Sequence, residues 1–212
     1  MTKGVRHRPR APERTVILMV EGPASFPRVI EMQTAEPTGR FLIRQAEVSD
    51  AEELARFAAR TFSETFGAEN TPEDLALYLA KAYGPAQQGA ELRDPAWTTL
   101  LAEEGTTLAG YAQIRTGPAP SCVTGESPIE LYRFYVDSPW QGQGVARRLM
   151  AAVDEEAIRR GARTLWLGVW ERNARAQAFY RKCGFVDVGE QTFMVGTDPQ
   201  RDRVMARSLE VV

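Results

Sequence analysis

The sequence predicts an α/β domain with a mixed, mostly antiparallel sheet, a central parallel strand pair and helices on both faces. Two extended runs, Trp97 to Ala102 and Leu108 to Arg115, are joined by a short turn, which is typical of an antiparallel hairpin. Further along, Leu131 to Val136 and Arg163 to Val169 are extended runs separated by a helical stretch. A strand, a helix and a strand in that order predict a parallel pair, and both patterns together predict a mixed sheet.

The first elements of the domain are a short strand and a helix. Phe41 to Arg44 predicts the first strand. Ser49 and Glu52 have the spacing of a capping box, in which each side chain bonds a backbone N–H at the start of a helix. The apolar period that follows predicts a helix to about Phe62, and a short loop is expected over Thr65 to Asn70.

A second helix is expected directly after this loop. Thr71 is a suitable N-cap, Pro72 suits the first helical position, and two acids follow in the first turn. Gly84 and Pro85 are expected to end this helix, because glycine is favoured just after a helix and proline cannot continue one.

Two more helices follow in the later chain. Apolar residues recur at intervals of four along the first of them, and Gly161 is placed as its C-terminal cap. These apolar residues are Val145, Leu149, Val153 and Ala157. The second is predicted from Asn173 to Gly184. The rest of the chain is extended in three runs, which are Phe185 to Val188, Gln191 to Val195 and Val204 to Leu209.

Composition excludes several functional classes. The chain has 212 residues, 43% of them apolar and 25% charged, and lacks the run of about 18 apolar residues that a membrane span needs. Two cysteines, Cys122 and Cys183, are too few for a disulfide scaffold and are expected to be free thiols. The one histidine, His7, lies in the N-terminal part of the chain, which argues against a histidine base and a histidine-based metal site in the folded part. We expect a cytoplasmic protein without a metal.

The N-terminal part of the chain differs from the rest in charge. Residues 1–40 hold seven Lys or Arg and four Asp or Glu, a balance of +3 in a chain whose net charge is −2, so residues 41–212 carry −5. We predict a basic extension over 1–40 and one folded domain over 41–212. The apolar run Val16 to Val20 is too short for a signal peptide and predicts an added strand or a loosely packed tail. The extension lacks the interleaved aromatics of a nucleic-acid site, so no nucleic-acid partner is expected.

The residues that carry chemistry begin with a glycine-rich turn, Gln141 to Ala146, between a strand and a helix. Glycines let the backbone approach a ligand closely, and the free N–H groups of a helix start attract an anion such as phosphate. The turn lacks the spacing of a dinucleotide-binding fingerprint and the Gly-Lys-Ser/Thr ending of a P-loop. It predicts a phosphate site of another kind.

The turn has the form Gln-x-x-Gly-x-Ala, and a second element, Asn173 to Phe185, follows it with Tyr180-x-x-x-Gly184-Phe185. Together they resemble the GNAT superfamily of acetyl-CoA-dependent N-acetyltransferases, over about residues 41–212. The resemblance implies the GNAT fold, acetyl-CoA as the cosubstrate and no metal. It assigns the coenzyme A contacts to Phe134, Tyr135, Val136, Gln141, Gly142, Gln143, Gly144, Val145, Ala146 and Asn173.

Two residues are the catalytic candidates. The resemblance implies that the hydroxyl of Tyr180 protonates the departing thiolate, although helical periodicity alone is equally satisfied by a core aromatic. An amine with a pKa of ~10.4 is almost entirely protonated at pH 7, so the reaction needs a proton acceptor. Glu130, at the start of the central strand, is the candidate base, and an ordinary solvated acid is the alternative.

Several short pieces also resemble the PaiA-type spermidine/spermine acetyltransferase branch. They include Glu64 to Phe66, Glu130 to Val136 and Phe193 to Asp202. A small cationic amine such as a polyamine is therefore the expected acceptor, with Phe66, Glu64 and Tyr132 as candidate substrate contacts. Two alternatives stay open: a protein N-terminal or lysine acetyltransferase, and a non-catalytic acyl-CoA-binding sensor. A homodimer also stays open.

Overall fold

The structure, a computed structural model, describes residues 16–18 and 40–210. Within this part of the chain, eight strands form one sheet and five α-helices pack on it. The strands are β1 (Val16–Leu18), β2 (Leu42–Gln45), β3 (Trp97–Glu104), β4 (Thr107–Arg115), β5 (Pro128–Val136), β6 (Thr164–Trp170), β7 (Val186–Val195) and β8 (Asp198–Ser208). The helices are α1 (Ala51–Phe66), α2 (Pro72–Ala82), α3 (Pro85–Arg93), α4 (Val145–Arg159) and α5 (Ala174–Lys182).

The sheet is mixed, as the sequence predicts. Seven strands follow the order β2-β3-β4-β5-β6-β8-β7, and β1 pairs with β5 outside this path. The pair β5–β6 is parallel and all the other neighbours on the path are antiparallel. Helices lie on both faces, so the predicted fold class is confirmed.

The central parallel pair opens towards the carboxyl ends of its strands. β5 and β6 pair over three residues of each strand, Pro128–Glu130 of β5 with Thr164–Trp166 of β6. Just beyond, the register of β4 and β5 shifts so that Tyr132 is an extra residue, which is a β-bulge that bends the strand. After the bulge β5 pairs with β1, whereas β6 continues along β8.

Two hydrophobic layers hold the helices to the sheet. One layer lies under α4 and α5 and includes the fully buried Leu149 and Val153 of the predicted helical stripe. The other lies under α1, α2 and α3 and is rich in aromatic rings. Phe62 stacks on Tyr78 there, with ring centroids 4.5 Å apart. Both layers bury the apolar faces that the helical periods predict.

The start of α1 corrects the predicted capping box. The reciprocal bonds are made by Glu47 and Asp50, and not by Ser49 and Glu52. Asp50 is held there because it accepts a backbone bond from Glu47 at 2.7 Å and side-chain bonds from Arg44 at 2.7 and 2.9 Å. A short 3₁₀ turn at Val48–Asp50 therefore precedes the helix.

The prediction for the end of α1 is also wrong. The helix continues to Phe66, whose side chain is buried, and Gly67–Glu69 forms a 3₁₀ turn where a loop was expected. Burial of the Phe66 side chain stabilises this additional turn of the helix.

The sequence prediction missed α3. Gly84 and Pro85 were expected only to end a helix, but Pro85 is also the first residue of the next one. Proline suits that position because the first N–H of a helix has no intrahelical partner. Thr71 is the N-cap of α2, as predicted, and its hydroxyl accepts the N–H of Asp74 at 3.2 Å.

Other predictions are confirmed or lie outside the described residues. Gly161 has a left-handed conformation, with φ of +80°, directly after α4, as a C-terminal cap requires. Cys122 and Cys183 are not joined in a disulfide, as predicted. None of the helices in residues 16–18 and 40–210 has the length and apolar character needed to cross a membrane. Residues 1–15, 19–39 and 211–212 are outside the described part, and the domain boundary at residue 40 stays a prediction.

Candidate active site

The glycine-rich turn leads from the end of β5 into α4. Gly142 and Gly144 have φ values of +77° and +84°, a backbone conformation that side chains other than hydrogen disfavour. Gly144 is the N-cap of α4 and no side chain caps this helix start. The first N–H groups of a helix have no intrahelical partner, so this end of α4 presents unbonded donors and a positive dipole end.

The side chains of two glutamines hold the turn in place. Gln141 donates from Nε2 to the carbonyl of Val136 at 3.1 Å and accepts from Arg175 at 3.3 Å. Gln143 donates from Nε2 to the carbonyl of Pro139 at 2.6 Å and also accepts from Arg40. Because these amides are bonded to the protein, the turn offers a ligand its backbone and not its glutamine side chains.

Three arginines near the turn were missed in the sequence. Arg147 and Arg148 are exposed in the first turn of α4, and Arg175 is exposed in the first turn of α5. The N-terminal end of a helix carries the positive end of its dipole, which repels cationic side chains unless an anion binds there. Two adjacent arginines just after the glycines were therefore a usable signal for a phosphate-bearing ligand.

The predicted pantetheine strand is the part of β5 beyond the bulge. Phe134 packs towards α5, with its ring 5.9 Å from that of Phe179. Tyr135 points to the opposite face and stacks on Tyr111 at 5.3 Å. Their side chains are buried in the two layers, so any contact of these two residues with a ligand at the opening would be made by their backbone.

Tyr180 is buried in α5 with a hydroxyl that has no hydrogen-bond partner among the described residues. Its ring packs between Phe179 and Phe185, at centroid distances of 5.6 and 5.3 Å. Burial, with a smaller contribution from Cys183, raises the pKa of Tyr180 well above its usual range. A buried unbonded hydroxyl costs about 1–3 kcal/mol, which a ligand group at this position offsets.

Asn173 follows β6 and caps α5. Its Oδ1 accepts the N–H of Ala176 at 3.0 Å, which confirms the predicted helix start. The capping bond fixes the side chain near the open end of the β5–β6 pair. Its predicted contact with pantetheine stays a prediction.

Glu130 is buried at the closed end of the opening. It is the last residue of β5 that pairs with β6, opposite Trp166. Its Oε2 accepts a bond from Nε of Arg115 at 2.6 Å. The guanidinium of Arg115 in turn lies 4.0 Å from the ring centre of Tyr132. The candidate base is thus a fixed, ion-paired carboxylate where the strands diverge.

The structure does not bring the candidate substrate contacts together. Phe66 and Tyr132 are both buried, and Phe66 meets the ring of Trp170 at 5.9 Å. Glu64 is on the surface, where it bonds Arg60 at 3.1 Å. Neither of the two cavities described next is lined by Phe66, Glu64 or Tyr132. Their role in substrate binding stays a prediction.

An acidic cavity of about 690 Å³ lies beside the end of β6. Its polar lining includes four acids and two arginines, which are Glu69, Glu171, Glu190, Asp198, Arg172 and Arg201. Gln200, only 9% exposed, also lines it. Its Nε2 donates to Asn70 at 2.8 Å and to Asp198 at 2.9 Å, whereas its buried Oε1 has no partner in the described part of the chain.

A second cavity of about 650 Å³ includes Glu130, Arg115 and Trp166 in its walls. Gln191 lines both cavities, so they adjoin at this residue. The amide of Gln191 lies over Gly168 of β6, where a Cβ atom would come within 2.5 Å of its Nε2. The candidate base thus lines one cavity and the four acids line its neighbour, with Gln191 in the wall of both.

Residues 39–185 match the sequence profile of the Acetyltransferase (GNAT) family. The chain belongs to the GNAT family. GNAT proteins are acetyl-CoA-dependent N-acetyltransferases, so the reaction class is acyl transfer to an amine. Within the described residues no group of three or more His, Cys, Asp or Glu side chains is arranged to hold a metal ion.

Two relatives show the range of similar GNAT sequences. An uncharacterized N-acetyltransferase of Mycobacterium tuberculosis (strain ATCC 25618 / H37Rv) is 35% identical over 162 residues, which cover 76% of this chain and 99% of the relative. The aminoglycoside N(6')-acetyltransferase type 1 of Stenotrophomonas maltophilia is 32% identical over 144 residues, which cover 68% of this chain and 84% of the relative.

The fold is also similar to that of a solved GNAT structure. The PaiA N-acetyltransferase of Thermoplasma acidophilum in complex with coenzyme A superposes with a TM-score of 0.66 at 19% identity. The match covers 79% of this chain and 98% of that one. This likeness concerns the fold.

Proposed function

We propose that this GNAT protein transfers the acetyl group of acetyl-CoA to a primary amine of a small cationic acceptor, with polyamines as the first class to test. The opening between β5 and β6 carries the proposal. A helix start with glycine at its N-cap and no side-chain cap lies after β5, Tyr180 is in the adjoining helix α5, and Glu130 is at the closed end.

The residues around the opening fit coenzyme A. The N–H groups at Gln141 to Ala146, with Arg147 and Arg148 nearby, would hold its phosphates, and the backbone of Phe134 to Val136 would bond its pantetheine amides. Asn173 is the remaining proposed contact. When bound, acetyl-CoA supplies the acetyl group as a thioester.

Two residues carry out the proton transfers of the proposed reaction. Glu130 accepts the proton of the ammonium group, directly or through water, because only the neutral amine can attack. Tyr180 gives its proton to the departing sulfur. Its raised pKa keeps the hydroxyl protonated at neutral pH, which an acid needs before the reaction begins.

The acidic cavity supports a cationic acceptor. Its four acids outnumber its two arginines, and Arg201 lies 3.7 Å from both Glu171 and Glu190. Glu190 also accepts a bond from Arg203, outside the lining, at 3.2 Å. The buried Oε1 of Gln200 adds an acceptor for an N–H group. The similarity to an aminoglycoside acetyltransferase supports a small amine of this kind. The PaiA-type branch rests on the short sequence pieces that resemble it, and the PaiA structure agrees with it in fold.

An amine panel tests the proposal. Release of coenzyme A thiol is measured with a triamine, a monoamine of the same length, and peptides that carry a free N-terminus or a lysine. We expect the highest kcat/KM for the triamine, because the cavity offers several negative charges. A preference for a peptide would instead indicate a protein acetyltransferase. Tight binding of acetyl-CoA without thiol release from any amine would indicate a sensor.

A further inference from the structure

One edge of β5 beyond the bulge is occupied by a strand from the N-terminal part of the chain. β1 (Val16–Leu18) runs parallel to β5 and pairs with Arg133–Tyr135. The opposite edge of β5 is bonded to β4 over the same residues, so β1 lies on the side where β6 has separated. β1 also contacts β6, α1 and α5, which surround the opening.

An extended peptide and the pantetheine arm share the same bonding chemistry. Both present amide N–H and C=O groups along a narrow chain, and both can complete the edge of a strand. The proposed pantetheine segment is Phe134 to Val136, and β1 already pairs with Phe134 and Tyr135. One edge of a strand cannot bond both partners at once.

We propose that the segment Val16–Leu18 is an intramolecular competitor of acetyl-CoA, which occupies the pantetheine edge of β5 until the coenzyme displaces it. This inference rests on the proposed cofactor site, not on the identity of the acceptor. A strand of three residues makes few backbone bonds, so it is readily exchanged. A segment docked in about nine molecules of ten weakens the apparent affinity for the coenzyme ~10-fold.

The full-length double variant Val16→Pro/Ile17→Pro tests this competition. Proline has no N–H group and disfavours pairing within a sheet. The chain offers a matched control in Val29→Pro/Ile30→Pro, which changes the same residue pair outside β1. Isothermal titration with coenzyme A should show ~10-fold tighter binding for the first variant and no change for the control. Circular dichroism of both variants verifies that the domain is folded.

A peptide with the sequence of residues 12–22 supplies the second measurement. Added to Val16→Pro/Ile17→Pro, it should weaken coenzyme A binding competitively, whereas the same peptide with prolines at both positions should not. Unchanged or weaker coenzyme A binding in the double variant overturns the proposal. If no form of the protein binds coenzyme A, the cofactor site fails as well. If the competition is observed but no amine is acetylated, only the proposed function fails.

Discussion

At the scale of single residues, Tyr180 is the hydroxyl on which the proposed chemistry depends. Tyr180→Phe should lower kcat about 100-fold, because the leaving thiolate loses its proton donor, and should change the Kd for coenzyme A little. Thiol release and calorimetry measure the two quantities. Tyr83→Phe is the matched control, since Tyr83 is also buried but lies on the other face of the sheet. An equal kcat in Tyr180→Phe and the wild type removes Tyr180 as the acid.

The contribution of Glu130 to activity is expected to depend on pH. Glu130→Gln should lower kcat/KM at pH 7, and the loss should shrink towards pH 10, because the fraction of neutral amine rises about tenfold per pH unit below the amine pKa. The raised pKa of Tyr180 keeps its proton in this range, so the wild type should show no descending limb below about pH 10.

The control for Glu130 is Arg115→Gln. It breaks the same ion pair, whose atoms are 2.6 Å apart, but keeps the carboxylate. A loss of the same size in both variants at every pH would show that Glu130 only supports the structure.

Sequence reasoning located residues at this scale where a local motif marks them. The glycines, Asn173 and Tyr180 lie within two short segments whose spacing is visible in the chain. The acidic cavity was not predictable, because Glu69, Glu190 and Gln200 come from separate elements and meet only in the folded sheet. The surroundings of Tyr132 were not predictable either, since its place in a bulge sets its ring against Arg115 and Trp97.

At the scale of elements, the turn into α4 depends on the left-handed backbone conformation of its glycines. Gly142 and Gly105 both have positive φ, of +77° and +62°, and a methyl group at either would meet no atom within 4 Å. Each change to alanine should therefore lower the free energy of unfolding by about 1 kcal/mol. Only Gly142→Ala should also weaken coenzyme A binding, by about tenfold, since only Gly142 belongs to the proposed phosphate site.

Thermal unfolding and calorimetry measure these two effects. If Gly105→Ala, in the β3–β4 turn, weakens coenzyme A binding as much as Gly142→Ala does, the effect comes from general destabilisation. The phosphate site would then have to be sought elsewhere.

The helices and strands were predictable wherever apolar and polar residues recur along the sequence with a regular period. The stripes of α1 and α4 follow from such helical periods, and the β3–β4 hairpin follows from two extended runs joined by a short turn. The β5 bulge did not, because Ile129 to Val136 is buried on both faces and shows no alternation that an inserted residue could interrupt. Helix α3 escaped because its first proline also resembles a stop signal.

At the scale of the whole molecule, a buried ion pair ties α3 to the central strand. Arg133 of β5, fully buried, bonds Glu91 of α3 at 2.6 Å and Gln113 of β4 at 2.6 Å. Glu91→Gln leaves the buried guanidinium uncompensated and should lower the free energy of unfolding by about 3–5 kcal/mol. Urea denaturation measures this loss.

Glu52→Gln is the control for this prediction. Its pair with Arg56 is 3.7 Å long and both side chains are mostly exposed, so the change should cost less than about 0.5 kcal/mol. Similar losses in the two variants would show that the α3–β5 pair contributes nothing beyond an ordinary surface contact.

The fold class was predictable at this scale because the order of strands and helices alone limits the topology. The divergence of β5 from β6 was not, since it depends on the bulge and on which segments become neighbours.

Two of the four tryptophans lie near the proposed coenzyme A and acceptor sites. Trp140, whose Nε1 donates to Glu104 at 2.8 Å, comes two residues before Gly142 in the turn. Trp170 lines the acidic cavity. Their emission therefore reports separately on the arrival of the two substrates, and variants that retain only one of these indoles allow the order of binding to be followed by fluorescence without an attached dye.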